Sequence, residues 1–443
     1  MVLAPHPDDE ILGCGGILQQ AVAQGVPVRL VFLTYGDSNE WAFLLYRKHP
    51  VVMPKAVRQM GLVRQQEALA AARGIGLSPD QVRFLGYPDL GTLTIWYAHW
   101  AARPPFRSLL TQATAVPYES ARRPGAAYTG DQLLRDLTTE LRAFRPTKLF
   151  VSHPADRHPD HRALYLFTRV ALWDLEAELP PPALYPYLIH CRRWPTPAGY
   201  HPDKPLDPPP ALRAQIPWVR ARVDPQQMVR KRVALMAHRS QYEATPAGLL
   251  SFVRTNELFG DLPDILLRPT TAPVMLAAGE SPMDVVETPD QLTDEEQAAL
   301  IGFEWRYVRL EGRELVLSIE LSRPLAKEVG VVVYLFGYRS DQPFGDLPKL
   351  RLQLGAFHQV VYDQRRALAR SPVRMTRHPR QILVRVPLGA LGDPQRILTS
   401  AHTYVGELPL DWVSWRVLEL PDEQWPRAAP TAGGPVTRPC RRA

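Results

Sequence analysis

Two polar clusters, far apart in this 443-residue chain, hold the residue types that metal binding and amide chemistry require. The first is His6-Pro7-Asp8-Asp9, set between Pro5 and the glycines of "GCGG"; the second is His158-Pro159-Asp160-His161. In each, two ligand-type side chains stand three residues apart, His6 with Asp9 and His158 with His161, a spacing that puts both on one face of a helix. Two imidazoles and a carboxylate make a three-ligand set with an open fourth position, the arrangement of catalytic rather than structural zinc. Spare groups then stand beside the metal. Asp8 adjoins Asp9 and could accept a proton from water whose pKa a metal lowers toward about 7. A histidine left over from the ligand set, His158, would face the other side of a reacting carbonyl, stabilising an oxyanion as imidazolium or protonating a departing nitrogen. Asp156 or Asp160 would orient that ring and keep its pKa high.

Taken singly, each cluster is an ordinary helix start, with proline early in the first turn and aspartates at the positive helix end. What favours chemistry is where the two fall. Residues 26–34, "VPVRLVFLT", read as a strand buried on both faces. Ile11, Cys14, Leu18 and Val22 recur at helical spacing before it, with Gly25 as the stop. The alternation continues through "VRQQEALAAARGIGL" (helix), "VRFLGYPD" (strand), Leu133 to Phe144 (helix) and "TKLFVSHP" (strand). Such alternation argues for an α/β fold with a mostly parallel sheet, whose ligands sit outside the carboxyl ends of the strands. "HPDD", "YGDSNEW", "YPD" and "SHPADRHPDH" each follow a strand, so four loops gather at one rim.

Residues 180–225 are proline-rich around a strand "LYPYLIH", and a helix "PQQMVRKRVALMAHRSQY" follows. Beyond a linker at 269–300 the texture changes to short apolar or alternating bursts such as "RELVLSIELS", "VGVVVYLFGY" and "QILVRVPL". These predict an antiparallel β-sandwich over 301–425, after a catalytic domain at 1–268 and before a disordered tail at 426–443. Lys and Arg number 52 against 45 Asp and Glu, giving net +7, but no block of five like charges forms a nucleic-acid stripe. Scattered "RRP", "RRW" and "PPP" pieces read as codon bias as much as function. Cys14, Cys191 and Cys440 include no C-x-x-C pair, which argues against a disulfide framework or a thiolate metal site. No apolar run reaches the roughly 18 residues of a membrane span. "MVLAP" offers only about three strand residues before the first cluster, where about five are usual. An upstream start is therefore expected, which leaves an exported or cell-envelope location open beside a cytoplasmic one; oligomeric state is left open as well.

These motifs resemble the PIG-L or LmbE-like zinc N-deacetylases. "PHPDDEILGCGG", "LTYGD", "RQQEALAAARGIGL", "FLGYPD", "HPADRHPDH" and "KRVALMAHRSQY" follow in that family's order over residues 1 to about 260. The resemblance implies a Rossmann-like sheet, with zinc, or ferrous iron in its place, held by His6, Asp9 and His161. It also implies Asp8 as general base, His158 as the acid that stabilises the oxyanion, and Arg64 and Asp89 as contacts to sugar hydroxyls. The implied substrate is an N-acetylated sugar or glycoconjugate of the N-acetylglucosamine type. Departures are the short first strand and extra segments, "EWAFLLYRKHP" and residues 92–125, that would reshape the pocket.

Competing readings stand beside this. An amidase acting on another amide or a thiol conjugate would use the same groups, and a glycan-binding protein would leave them idle. "GCGG" lacks the G-x-G-x-x-G order of a nucleotide loop and reads as helix packing; Cys14 reads as a small buried hydrophobe. His201 reads as loop and His238 as a packed or partly exposed helix position. Trp41, Trp96, Tyr97 and Trp100 are either core or a stacking platform for sugar rings. The β-domain either binds glycans or packs against the catalytic domain.

Overall fold

The computed structural model describes residues 1–38, 53–100, 104–269, 272–278, 301–326, 328–355, 358–406 and 408–420. Trp41, Cys440, most of the expected linker and the expected tail lie outside these residues. The N-terminal part alternates strand and helix: β1 (Val2–Ala4), α1 (Asp9–Ala23), β2 (Leu30–Phe32), α2 (Pro54–Gly74), β3 (Val82–Phe84), α3 (Thr92–Ala98), α4 (Gly130–Phe144), β4 (Lys148–Ser152), α5 (Pro159–Asp174) and β5 (Ala183–Tyr187). After β6 (Val219–Arg222) come α6 (Pro225–Ala237), α7 (Arg239–Tyr242), α8 (Pro246–Leu250) and β7 (Asn256–Phe259). The seven strands lie in the order β3-β2-β1-β4-β5-β7-β6. Pairings from β3 to β5 are parallel, whereas β7 runs antiparallel to both β5 and β6.

This order makes the site. The chain builds outward from β1 to β3 on one side and from β4 to β5 on the other, so the loops leaving β1 and β4 diverge to opposite faces. A crevice opens between them, the place where such sheets bind ligands. Leu3, Val31 and Val151 are all fully buried in the strands beneath it. Helix α1 lies close on the sheet because its glycines permit it: a Cβ on Gly13 would stand 2.5 Å from the Tyr187 ring, and one on Gly16 2.7 Å from Val223. The "GCGG" run is thus helix packing, and Cys14 is buried within it. Gly25 takes the left-handed conformation (φ 64°) that ends the helix.

The C-terminal part is antiparallel. A five-stranded sheet comprises β9 (Val274–Ala278), β10 (Phe303–Glu311), β11 (Glu314–Leu321), β16 (Arg374–Arg377) and β17 (Gln381–Pro387). The other sheet has seven strands: β8 (Ile265–Leu266), β12 (Val329–Tyr338), β13 (Lys349–Leu354), β14 (Gln359–Asp363), β15 (Arg366–Ala367), β18 (Arg396–Val405) and β19 (Leu408–Glu419). The chain therefore enters this part at Ile265, and β9 falls within the stretch expected to be linker. Strand β12 is buried at every position, which explains its unbroken apolar sequence. Val331, Val333 and Leu335 face the cluster shared with the other sheet, while Val332, Tyr334, Phe336 and Tyr338 face the N-terminal part.

That second face decides the question of the tryptophans. Trp96 is fully buried, with its ring centroid 5.0 Å from Phe167, 5.3 Å from Phe344 and 5.7 Å from Phe336. Trp100 is equally buried, and Tyr97 stacks on Tyr334 at 4.4 Å. These rings are the cement between the two parts and offer no sugar platform. Trp96→Ala is expected to cost about 3–5 kcal/mol in urea denaturation; a loss below about 1 kcal/mol would mean that the ring is not in a packed core.

Candidate active site

The turn from β1 into α1 carries the first cluster under strain. Asp8 caps the helix at φ 126°, a conformation few non-glycine residues adopt. Three groups hold it there. Glu10 Oε2 accepts the Asp8 N–H at 2.8 Å, and Glu10 Oε1 meets His238 Nε2 at 2.9 Å. Arg64, buried on α2, donates to the carbonyls of Pro7 and Gly36 at 2.6 Å each and to Asp8 Oδ2 at 3.3 Å. Gly36 has φ 64°, and any side chain there would run into that guanidinium.

Helix α5 brings the second cluster to the same point. Asp9 Oδ2 stands 3.1 Å from His6 Nδ1 and 3.1 Å from His161 Nε2. Ligand atoms around a tetrahedral zinc at about 2.0–2.1 Å would lie roughly 3.3 Å apart, and both Asp9 separations match that spacing, although His6, Asp9 and His161 do not all three converge as one group. Each imidazole turns its far nitrogen to another carboxylate. His6 Nε2 meets Asp160 Oδ2 at 3.2 Å and Asp89 Oδ1 at 3.1 Å, and His161 Nδ1 meets Asp156 Oδ2 at 3.0 Å. A carboxylate behind each ring is the usual support of a metal-binding histidine. The His161 nitrogens are fully buried and poorly aligned for hydrogen bonds to Asp9 or Asp156, so hydrogen bonding alone leaves them unsatisfied.

The charges agree with the geometry. Burial opposes ionisation of all these groups, yet Asp89, Asp160 and Asp9 raise His6 well above the ordinary histidine pKa, and Asp156 and Asp9 raise His161 to about 9. Against the same burial, His161 and His6 hold Asp9 well below the carboxylate range. A pocket that pulls positive charge onto two imidazoles is one that a divalent cation would fit. Among the described residues, ligand-type atoms converge in three overlapping groups: His6, His158 and His161; His6, Asp89, His158 and Asp160; and Asp9, His161 and His190. Asp160 is the poorest ligand of these, since it already accepts the Leu90 N–H at 2.6 Å, the Thr92 N–H at 3.1 Å and the Thr92 hydroxyl.

The carboxylates of Asp156 and Asp160 lie closest to His161 and His6, while the His158 ring is held by the Asp160 N–H, with the Asp160 carboxylate 3.9 Å away. Asp156 also accepts the N–H groups of Ile189 and His190 at 3.0 Å each and that of His158 at 2.9 Å. His158 is the N-cap of α5, its Nδ1 accepting the Asp160 N–H at 3.3 Å. Its pKa is not kept high. Burial, with His6, His161 and His190 nearby, pushes it down to about 2. Burial pushes Asp8 up to about 6, opposed by Arg64 and aided by Asp9.

His6, Asp8, Asp9, Arg64, Asp89 and His158 line one cavity of about 500 Å³. All of the expected catalytic and sugar-contacting residues meet there, but Arg64 and Asp89 are already engaged, Asp89 accepting the Ser38 N–H at 2.8 Å. The sequence reading missed His190, whose ring centroid lies 4.7 Å from that of His161, and Glu10. It also missed Gln241, Thr245 and Leu249 on the cavity wall. His190 ends the stretch "LYPYLIH", just past the strand, and so stands at the same rim; that position was the available signal. His238 is packed, as one reading had it, but as the partner of Glu10.

Residues 1–172 match the family described as GlcNAc-PI de-N-acetylase, PIG-L. A 1D-myo-inositol 2-acetamido-2-deoxy-alpha-D-glucopyranoside deacetylase of Gordonia bronchialis is 28% identical over 270 residues, 56% of this chain and 86% of that protein. An enzyme of the same name from Saccharopolyspora erythraea is 31% identical over 186 residues, 39% of this chain and 52% of its own length. Among solved structures, the N,N'-diacetylchitobiose deacetylase of Pyrococcus horikoshii aligns with 54% of this chain and 69% of its own, at 20% identity and a TM-score of 0.31.

Proposed function

We propose, from the match of residues 1–172 to the PIG-L family, that this protein hydrolyses the acetamide of an N-acetylglucosamine-type sugar or glycoconjugate, releasing acetate and the free amine. The observation that carries this reading is the meeting of His6 and the buried His161 at Asp9, each ring backed by a further carboxylate, beside a cavity lined by His6, Asp8, Asp9 and His158. The N-terminal part is read as a Rossmann-like catalytic domain over residues 1–268, and the C-terminal part over 301–425 as a β-sandwich.

His6, Asp9 and His161 would hold a divalent metal, zinc or ferrous iron; when bound it supplies a Lewis acid that lowers the pKa of water and polarises a carbonyl. Asp8 takes the proton of the attacking water as the new C–O bond forms. Its carboxylate is fixed for this by Arg64 and by the Glu10 bond to its backbone. His158 assists on the carbonyl oxygen. Since its Nδ1 accepts the Asp160 N–H, the neutral ring carries its proton on Nε2, free to donate to an oxyanion. A neutral donor replaces the imidazolium expected from sequence. When the C–N bond breaks, the proton held by Asp8 passes to the leaving nitrogen, so water is divided between acetate and amine.

Zinc-loaded protein should release acetate and primary amine in equal amounts from N-acetylglucosamine, chitobiose or a larger N-acetylated glycan. Release of neither from any of the three, by protein shown to contain metal, would defeat the proposal.

A further inference from the structure

A second cavity, of about 690 Å³, adjoins the catalytic one, and the two share Leu12, His190, Thr245 and Leu249 as walls. Their linings differ in charge. The catalytic cavity holds Asp8, Asp9 and Asp89 together with Arg64, whereas the second is lined by Arg157, Arg192 and Arg193 and by no aspartate or glutamate. Arg192 and Arg193 are the two tip residues of a tight turn closed by the bridge between Cys191 and Trp194. Arg193 sits there at φ 49°, a conformation that costs a non-glycine residue energy. Trp194 and Phe252 add an aromatic wall, their ring centroids 5.6 Å apart.

We infer that this second cavity is an acceptor subsite for an anionic group, a carboxylate or a phosphate, carried by the substrate beyond its acetamido sugar. The inference rests on the deacetylase reading and narrows it to a class of conjugate. Guanidinium groups keep their charge and fork onto such oxyanions with paired hydrogen bonds. A substrate with its acetamide at one end and its negative charge at the other is thereby oriented in one direction along the joined cavities.

The test uses a matched pair on zinc-loaded protein: the carboxymethyl glycoside of N-acetylglucosamine and its uncharged isostere, the carbamoylmethyl glycoside. N-acetylglucosamine 1-phosphate serves as the phosphate arm and shows which oxyanion is preferred. Both kcat/KM, from acetate release, and Kd, from calorimetry, should favour the anion by about tenfold or more. Arg192→Gln combined with Arg193→Gln should bring that ratio close to one while turnover of the uncharged glycoside stays unchanged. Equal kcat/KM and Kd for the pair in the unaltered protein, or a preference that survives in the variant, would overturn the inference and leave the deacetylase reading intact. Hydrolysis of neither glycoside by protein shown to contain metal would overturn the deacetylase reading, and this inference with it.

Discussion

Replacing Asp8 with asparagine is expected to lower kcat by about 10²–10⁴-fold, the usual worth of a general base, while the protein keeps its metal. Asparagine is the informative change because it preserves what is structural at this position. It tolerates the positive φ of the helix cap, and the backbone bond to Glu10 is untouched. Its amide cannot accept the proton of an attacking water. Kinetics on an N-acetylglucosaminide together with metal analysis of the same sample would separate base from ligand. Unimpaired turnover with metal present would remove Asp8 from the mechanism. Loss of the metal would instead make it part of the binding site.

His161→Ala should have the opposite signature, losing metal and turnover together. The substitution leaves Asp9 and Asp156 facing a void where an imidazole stood between them, and takes one of three ligands from the ion. Asp156→Asn tests the same geometry more gently. It keeps the ring but weakens the carboxylate behind it, a change that typically costs about 10–100-fold in metal affinity. Equilibrium dialysis against zinc would rank the proteins: unaltered tightest, Asp156→Asn intermediate, His161→Ala weakest. Circular dichroism would show whether each variant is folded. A folded His161→Ala protein that binds zinc as the unaltered chain does would refute the ligand set.

The gathering of these residues was legible because they announce themselves locally. Paired ligand-type side chains three apart, each pair following a strand, need no knowledge of distant contacts, and the strand–helix alternation supplied the rim that joins them. What was not legible depends on partners that sequence does not display. Arg64 was expected to touch sugar, yet its guanidinium is engaged with two backbone carbonyls and Asp8. Asp156 and Asp160 were placed on His158, whereas the fold turns their carboxylates chiefly to His161 and His6. Glu10 was not singled out, because its partner His238 lies far along the chain.

The second half shows the same limit. Strand β12 was plain from its apolar run, but β18 escaped notice because Thr399, Ser400 and Thr403 interrupt its pattern. Two of those hydroxyls are satisfied inside, Ser400 donating to the Val413 carbonyl at 2.6 Å and Thr403 to that of Ile301 at 2.7 Å. The "RRW" piece, read as codon bias as much as function, forms part of the turn beside the catalytic cavity. Polar residues count as breaks in a pattern until the fold shows what they bond to.

One metal ion, held where His6, Asp9 and His161 meet, is proposed to enable amide hydrolysis. The most direct measurement is acetate release from N-acetylglucosamine or chitobiose by chelator-stripped protein titrated with zinc. Activity should be absent at the start, rise linearly and break at one equivalent per chain. Full activity in the stripped protein, or no acetate from either sugar at saturating zinc, would contradict the account.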